Sequence, residues 1–306
     1  MRHRRIGVVG AGTVGAGVAQ SLAQTGHTAV VVDLAPDILD QARTRIEDGI
    51  RFAALFDRAI RGSSHSAILS RIEFTTDLGR LADADLVVEN ATESRTVKEA
   101  VYPELDRVCR PACVLAANTS AIPIHRLAAT TRRPDRVIGV HFMNPVFKIA
   151  TVEVVRGRQT SDETVGAVEE FLAGMGKRAV VVNDAAGFVA NRVLMLAINE
   201  AILVVQDGVA GPEAVDEIFV RCLGHKTGPL ATADLIGLDT VLLTLDVLHQ
   251  EYADDKFRPC PLLRQMVDAG RRGRKSGRGF FEYGGDRPAD GRGRQDQGLH
   301  HPRGGA

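Results

Sequence analysis

The sequence has no excess charge of either sign, since 38 lysines and arginines balance 38 aspartates and glutamates among 306 residues. A chain without net charge lacks a general electrostatic attraction to nucleic acid or to an acidic membrane surface. It also lacks any apolar run near the roughly 20 residues that a membrane-spanning helix needs. We therefore expect neither a nucleic-acid partner nor a membrane partner.

Cysteine is scarce and scattered, and the residues of this type are Cys109, Cys113, Cys222 and Cys260. The first two lie close in sequence, but no second pair and no neighbouring histidine completes a ligand spacing, so we expect no metal site. The basic start of the chain leads into a strand-like run that a glycine loop ends, which is not typical of a signal peptide. These features predict a cytoplasmic protein with reduced thiols.

Short apolar runs alternate with helix-like segments through about the first 185 residues. Continuous apolar runs indicate strands that are covered on both faces. The alternation predicts an α/β fold with a Rossmann-type, doubly wound, mainly parallel sheet that ends in antiparallel members. The predicted strands are 6–9, 29–32, 86–89, 114–117, 137–140, 152–155 and 179–182, and the predicted helices are about 13–25, 36–60, 94–109 and 161–175.

After Asp184 the strand-like runs stop and helical patterns follow. The first predicted helix here begins at Gly187 and is stopped by Asp207 and Gly208. Three further helices are predicted at 212–222, 230–248 and 261–269. From about Gly284 the composition turns to Gly, Arg, Asp and Gln, which cannot bury a core. We therefore predict a Rossmann domain at 1–186, an all-helical domain at 187–284 and a disordered tail at 285–306.

The first predicted strand leads directly into the pattern G-x-G-x-x-G, which opens a helix. Gly10 allows the tight turn, Gly12 lets the backbone approach a pyrophosphate at the helix N-terminus, and Gly15 allows close helix packing. The second strand ends in Asp33, a carboxylate that can accept hydrogen bonds from ribose hydroxyls and repel a 2′-phosphate. The unit predicts a site for NAD in preference to NADP. Its residues are Gly10, Ala11, Gly12, Thr13, Val14, Gly15 and Asp33.

Polar side chains follow the ends of three further predicted strands. They are, in chain order, Glu89 to Glu93 with Lys98, Asn118 to Ser120, and His141 with Asn144. Ligands of open α/β sheets bind at the carboxyl ends of the strands. We therefore expect these residues to face a nicotinamide and its substrate.

His141 is the natural acid/base candidate, because imidazole exchanges a proton near physiological pH. Such a base works best when a carboxylate fixes its tautomer, and Glu153 lies in an apolar strand where a lone carboxylate is costly to bury. The two can meet if strand 151–155 returns beside strand 136–142. A hydrogen-bonded core histidine and a glutamate on a solvent-exposed sheet face remain the alternative interpretation.

Several motifs, in the same order, resemble those of the NAD-dependent 3-hydroxyacyl-CoA dehydrogenases, a family that includes short 3-hydroxybutyryl-CoA dehydrogenases. The resemblance covers residues 5 to about 283. The motifs are GAGTVGAGVAQ at 10–20, NTSAI at 118–122, HFMNP at 141–145, VEVVRG at 152–157, AGFVANRVL at 186–194, GPLATADLIGLD at 228–239 and RPCPLLRQMVDAGRRGRKSGRGFFEY at 258–283.

The resemblance implies hydride transfer between NAD and C3 of a short 3-hydroxyacyl thioester, by an enzyme of fatty acid metabolism. It implies that His141 is the catalytic base, that Glu153 orients it, that Ser120 binds the substrate oxygen and that Asn191 positions the reacting group. The implied NAD contacts are Glu93, Lys98, Ser120, Asn144 and Lys275. It also implies a substrate-binding helical domain through which two copies form a homodimer.

Three departures from the family pattern bear on the substrate. In segment 146–154 the lysine stands two places earlier and a second proline is absent, and Ala186 replaces a frequent proline. The stretch 52–61, which corresponds to a lysine-rich CoA-binding hairpin, carries only two arginines as cations. CoA phosphates favour several cations. Retained CoA binding is one interpretation, and the alternative is a carrier-protein-bound hydroxyacyl thioester, such as a glyceryl group in polyketide extender-unit biosynthesis.

Two other functions also fit this fold. A non-catalytic NAD-binding homologue would keep the glycines and Asp33 but lose the acid/base set, whereas Ser120, His141, Glu153 and Asn191 are all present. A β-hydroxyacid dehydrogenase would carry a catalytic lysine on the first helix after the sheet, where this chain has Asn191 and Arg192. Both patterns favour the 3-hydroxyacyl thioester dehydrogenase.

Overall fold

The computed structural model describes residues 5–54 and 64–283, and the structural statements that follow refer to those residues. The predicted tail at 285–306 lies outside them. Most of the stretch at 52–61, on which the carrier-protein alternative depends, also lies outside.

Eight strands form a single sheet. They are β1 Arg5–Val9, β2 Thr28–Val32, β3 Ile72–Thr75, β4 Leu86–Glu89, β5 Val114–Ala117, β6 Val137–His141, β7 Thr151–Arg156 and β8 Arg178–Asn183. The strand order is β3-β2-β1-β4-β5-β6-β7-β8. The neighbouring strands are parallel except β6 and β7, which pair antiparallel. The predicted Rossmann-type sheet with an antiparallel end is confirmed.

Strand β3 was not among the predicted strands. It lies at the edge of the sheet and pairs with β2 alone. Its residues after Ile72 are only partly buried, so polar Glu73 and Thr75 alternate with the apolar residues. The continuous apolar pattern that marks the covered central strands is therefore absent at this edge.

Helices cover both faces of the sheet and make up the regular secondary structure that follows it among the described residues. They are α1 Thr13–Gln24, α2 Pro36–Ala53, α3 His65–Leu69, α4 Arg95–Val108, α5 Ile124–Ala128, α6 Asp162–Gly174, α7 Ala190–Gln206, α8 Pro212–Arg221, α9 Pro229–Ile236, α10 Leu238–Tyr252 and α11 Pro261–Asp268. Alternate strand residues enter different cores, because Ile6 and Val8 of β1 join one apolar cluster and Val9 joins the other.

The chain divides into two compact units, Met1–Asn199 with Leu242–Pro259, and Glu200–Val241 with Cys260–Ala306. The predicted domain boundary at residue 186 stays a prediction. In the second unit, Asp234 is buried and accepts hydrogen bonds from the backbone N–H groups of Phe280 and Phe281. This carboxylate therefore fixes the end of the described chain onto α9.

The single helix predicted at 230–248 is wrong, because the structure has two helices there. They are interrupted at Gly237, whose φ of 102° lies in the region that favours glycine. The apolar pattern continues across this glycine, so the helical period alone concealed the break.

Candidate active site

The glycine loop between β1 and α1 has the tight geometry that its sequence predicts. Gly10 has φ 88°, and a Cβ there would lie 2.6 Å from the carbonyl oxygen of Asn90. A Cβ on Gly15 would overlap the carbonyl oxygen of Gly10. By contrast, a Cβ on Gly12 would meet no atom within 4 Å. Gly10 and Gly15 are thus required by the fold itself, whereas Gly12 leaves open space at the start of α1.

Asp33, at the end of β2, connects the glycine loop to the second strand. Its Oδ2 accepts a hydrogen bond from the N–H of Ala11 at 2.6 Å, and its Oδ1 accepts one from the N–H of Leu34 at 2.7 Å. Each carboxylate oxygen has a further lone pair for a ligand hydroxyl. The same residue therefore fixes the loop and presents an acceptor beside it.

This corner fits the phosphates and ribose of a dinucleotide. The open space at Gly12 is the position at which a Cβ would obstruct an approaching phosphate. No acidic side chain stands in the first turn of α1, so the partial positive charge of the helix start is not neutralised there. Ala11 is buried, Gly12 and Thr13 are exposed, and Val14 is partly buried. The predicted contacts of these residues with NAD stay predictions.

A buried ion pair lies beside this corner, under the ends of β4 and β5. The Lys98 ammonium donates to both oxygens of the Glu89 carboxylate at 2.9 Å, and to the carbonyl oxygen of Asn118 at 3.0 Å. Burial raises the pKa of Glu89, although Lys98 acts in the opposite direction. The Lys98 side chain has no exposed surface. Its predicted contact with NAD would thus require this pair to open, and in the present arrangement Lys98 supports Asn118.

Asn118 connects three neighbouring strand ends. Its Nδ2 donates to Oδ1 of Asn90 at 2.7 Å, and its Oδ1 accepts from the N–H of Phe142 at 3.1 Å. Phe142 directly follows His141, so this amide fixes the backbone where the predicted base leaves β6. Sequence reasoning placed Asn118 at the sheet edge but assigned it no role. Its position directly after an apolar strand was the available signal.

Glu93 organises the loop that carries Ser120. Its Oε1 accepts hydrogen bonds from the Thr119 hydroxyl at 2.6 Å and from the N–H groups of Ser120 and Ala121 at 2.8 and 3.0 Å. On the other side, Nδ2 of Asn191 donates to the Ser120 carbonyl oxygen at 2.8 Å. The structure thus brings together Glu93, Ser120 and Asn191, three of the predicted site residues.

His141 and Glu153 form the pair that the sequence predicted. They are directly opposite each other in the β6–β7 ladder, and His141 Nδ1 lies 2.9 Å from Glu153 Oε2. Because a carboxylate only accepts, Nδ1 carries the proton and Nε2 is the nitrogen left for a substrate. Both side chains are nearly buried, at 6% and 10% exposed. The hydrogen-bonded pair excludes the alternative of a glutamate on a solvent-exposed sheet face.

Backbone donors complete the environment of Glu153. Burial alone would raise the pKa of Glu153, but hydrogen bonds from His141 and from the N–H groups of Val189 and Ala190 lower it below its ordinary value. The two N–H groups reach Oε1 at 2.8 and 3.2 Å from the start of α7. Sequence reasoning missed these backbone donors. They depend on the turn at Gly187 and Phe188, both with positive φ, and the Gly187 in this turn was the available signal.

The remaining predicted cofactor residues differ in setting. Asn144 is exposed in the connection between β6 and β7 and precedes Pro145 through a cis peptide bond. Lys275 lies in the second unit, where its ammonium pairs with Asp239 at 2.5 Å. Their contacts with NAD stay predictions. Across residues 5–54 and 64–283, no helix is both long and apolar enough to cross a membrane.

Two family models match the chain one after the other. The model described as 3-hydroxyacyl-CoA dehydrogenase, NAD binding domain, matches residues 5–185. The model described as 3-hydroxyacyl-CoA dehydrogenase, C-terminal domain, matches residues 187–283. Together they cover the part of the chain in which the motifs resemble this family.

Similar proteins carry consistent descriptions. A probable 3-hydroxybutyryl-CoA dehydrogenase of Deinococcus radiodurans is 48% identical over 279 residues, which cover 91% of this chain and 100% of the relative. The 3-hydroxybutyryl-CoA dehydrogenase of Bradyrhizobium diazoefficiens is 42% identical, with 93% and 97% covered. The crystal structure of (S)-3-hydroxybutyryl-CoA dehydrogenase from Ralstonia eutropha shares 41% identity and a TM-score of 0.85, with 92% and 99% covered.

These findings confirm the predicted family, the enzyme class and the cofactor NAD. The relatives are dehydrogenases, so the comparisons give no support to a non-catalytic homologue. With both family domains matched in order, on a sheet that presents the glycine loop and the His141–Glu153 pair at one edge, the chain belongs to the 3-hydroxyacyl-CoA dehydrogenase family and is an NAD-dependent oxidoreductase.

Proposed function

We propose that this enzyme transfers a hydride between NAD and C3 of a short 3-hydroxyacyl-CoA, with 3-hydroxybutyryl-CoA as the reference substrate. The observation that carries the proposal is the His141–Glu153 hydrogen bond at the carboxyl edge of the sheet that also bears the glycine loop. The descriptions of the similar proteins support CoA as the thioester carrier. They give no support to the carrier-protein alternative.

His141 has the geometry of a general base for alcohol oxidation. Bound NAD would supply the hydride acceptor for the substrate carbon. As the hydride leaves, Nε2 of His141 takes the hydroxyl proton, while Nδ1–H remains bonded to Glu153. The charge that develops on the imidazole is stabilised by a carboxylate whose ionised form is favoured, since its pKa lies below the ordinary value.

Ser120 and Asn191 would act on the substrate oxygen and the reacting group. Two hydrogen bonds hold the Ser120 backbone. Its N–H donates to Glu93, and its carbonyl oxygen accepts from Asn191. These bonds occupy the Ser120 backbone and leave its hydroxyl available to donate to the oxygen at C3. A donor held in place before the reaction stabilises developing charge without further reorganisation.

Replacing His141 with Gln tests this function directly. The variant should oxidise 3-hydroxybutyryl-CoA about 10²–10⁴-fold more slowly than the wild type, because a positioned general base contributes about that factor. NAD reduction is followed by absorbance, and NAD affinity is measured separately by fluorescence. Affinity should persist, because His141 lies outside the glycine loop. Near-normal turnover by His141→Gln would show that the histidine is structural.

The wild-type assay also tests the carrier. Matched 3-hydroxybutyryl and glyceryl thioesters of CoA and of acyl carrier protein are supplied at equal concentrations. We expect the CoA thioester of the hydroxybutyryl group to react fastest. Much faster reduction of NAD by a carrier-protein thioester would overturn the assignment of CoA while leaving the hydride-transfer chemistry intact.

The active form is further proposed to be a homodimer assembled through the helical second unit. Several large apolar side chains of this unit are half or more exposed in the single chain. They are Val209, Ile218, Leu223 and Leu235, at 75%, 51%, 61% and 62%. Exposed apolar surface of this kind is typical of protein interfaces.

A further inference from the structure

The turn that joins the two catalytic strands contains backbone carbonyls that need internal partners. Between His141 at the end of β6 and Glu153 in β7, the chain turns at Pro145, whose carbonyl oxygen accepts from the N–H groups of Lys148 and Ile149. The carbonyl groups of Val146 and Ile149 receive their hydrogen bonds from another part of the fold. A buried carbonyl without a donor is costly, so the source of these donors determines how the turn is held.

Lys177 supplies both donors. Its ammonium donates to the carbonyl oxygen of Val146 at 2.5 Å and to that of Ile149 at 2.8 Å. The residue is only 8% exposed, and burial lowers the pKa of its ammonium. Lys177 stands directly before β8, where the adjacent Arg178 N–H donates to the Ala150 carbonyl oxygen at 2.8 Å. The start of β8 thus holds the turn at three of its carbonyls.

The turn held by Lys177 also contacts the cofactor side of the sheet. Val146 is buried, and its side chain lies 3.0 Å from the position of a Cβ on Gly17, in the second turn of α1. The ring of Phe147 contacts the ring of Phe52 at the end of α2, with centroids 6.1 Å apart. The two helices that follow the first two strands therefore pack against the same turn.

The catalytic pair occupies the part of the ladder most sensitive to this turn. Strands β6 and β7 pair at Gly139 with Val155, at Val140 with Val154 and at His141 with Glu153. The last pair is the one nearest to the turn, so within the β6–β7 ladder it has neighbours on one side only. The register of this pair therefore depends on the path that the turn takes between the two strands.

We propose that Lys177 is a positioning residue for catalysis, which holds the turn at 145–150 so that His141 and Glu153 stay in register. This inference rests on the function proposed above and adds a residue that contacts neither of the catalytic side chains. Its sequence context, a glycine-flanked turn between α6 and β8, is typical of a solvent-exposed lysine. The hydrogen bonds to the carbonyls of Val146 and Ile149, and its burial, distinguish Lys177 from a surface charge.

The test compares Lys177→Met with Arg178→Met. Both remove a cation from adjacent positions at the start of β8, but Arg178 is exposed, whereas Lys177 is buried. We expect Lys177→Met to lower kcat for 3-hydroxybutyryl-CoA at least about tenfold, which corresponds to ~1.4 kcal/mol, and to change KM less than about threefold. Arg178→Met should keep kcat within about twofold of the wild type, because the N–H of residue 178 can still donate to the Ala150 carbonyl oxygen.

A double-mutant cycle with Glu153→Gln separates positioning from a general loss of structure. If Lys177 acts through the catalytic pair, Lys177→Met should cost little more than about twofold in the Glu153→Gln background. Wild-type kcat with Lys177→Met, or an equally large loss in both backgrounds, overturns the proposal. If the Met variant is unfolded at the assay temperature, Lys177→Leu, which also lacks a side-chain N–H donor, replaces it in the same cycle under the same criteria.

The outcomes are distinguishable from failure of the proposed function. An inactive wild type, or an active His141→Gln variant, contradicts the hydride-transfer assignment. The positioning role of Lys177 is then overturned with it, because that role is defined for this reaction. An active wild type with an inactive His141→Gln variant supports that assignment, and the cycle then tests Lys177 alone.

Discussion

Glu153 shows how a carboxylate in an apolar strand can be kept ionised. Its two oxygens accept hydrogen bonds from His141 and from two backbone N–H groups at the start of α7. Hydrogen bonds to a charged acceptor are stronger than those between neutral groups, which offsets the cost of burial. The residue therefore fixes the imidazole tautomer and at the same time connects β7 to α7.

Replacing Glu153 with Gln should remove a pH-dependent part of the stability. The pKa of Glu153 is lower in the folded protein than its ordinary value of 4.5, so folding favours the ionised form. The contribution is complete above pH 4.5 and is lost as pH falls through the lower pKa of the folded state. Urea denaturation should show a wild-type advantage of about 1–3 kcal/mol near pH 7 that narrows below about pH 4.5.

The control for this prediction is Glu169→Gln, at an exposed position of α6. Its difference from the wild type should be small and nearly constant over the same pH range. A Glu153→Gln difference that stays constant down to about pH 3.5 would contradict the favoured ionised form of Glu153.

Sequence reasoning reached the pairing of His141 with Glu153 but not the contacts that hold the candidate site in place. His141 and Glu153 were placed together because a polar residue at a strand end and a carboxylate in an apolar strand each need an explanation. The roles of Asn118 and of the Val189 and Ala190 N–H groups depend on long-range geometry that no local pattern encodes. Lys177 gave no signal, since a lysine beside a glycine predicts an exposed turn.

At the scale of secondary-structure elements, the glycine loop separates two requirements that its motif combines. Gly15 allows α1 to pack against the loop, because a Cβ there would overlap the Gly10 carbonyl oxygen. Gly12 has an ordinary φ of −64° and open space around its missing Cβ. One glycine therefore serves the packing of the βα unit, and the other keeps space for a ligand.

This difference predicts opposite phenotypes for two matched substitutions. Gly12→Ala should fold with near wild-type thermal stability but bind NAD at least about tenfold more weakly, a loss of ~1.4 kcal/mol. Gly15→Ala should lower the free energy of unfolding by about 1–3 kcal/mol, the usual cost of overpacking. Thermal denaturation without ligand and fluorescence titration with NAD measure the two effects. A Gly12→Ala variant with normal NAD affinity would contradict the ligand-space interpretation.

Strands and helices were predictable where their residues are buried in one regular pattern, and less predictable where that pattern is interrupted. Six of the seven predicted strands, β1, β2, β4, β5, β6 and β7, lie inside the sheet, where apolar residues are buried. The seventh, β8, is an edge strand that is largely exposed, and its run of valines alone led to its prediction. Strand β3 was missed because its edge position admits Glu73 and Thr75. The break at Gly237 was missed because an apolar helical period continues on both sides of a glycine.

At the scale of the whole molecule, the two family models match residues 5–185 and 187–283, and the homodimer proposed above concerns apolar side chains of the second unit. The second unit keeps Ile218, Leu223 and Leu235 more than half exposed. In the proposed homodimer, side chains of this kind would be removed from water, and each would gain the free energy of burial. Self-association of this unit would cover them.

Sedimentation velocity tests the proposed homodimer. The wild type should sediment as a species of twice the chain mass of 32.9 kDa at micromolar concentration. Leu223→Glu or Leu235→Glu should shift the equilibrium toward the monomer, since a carboxylate buried in an apolar interface without a partner is costly. Leu34→Glu is the matched control, because Leu34 is 96% exposed but lies in the first unit. It should leave the mass unchanged, and a wild type that stays monomeric at tens of micromolar would overturn the dimer.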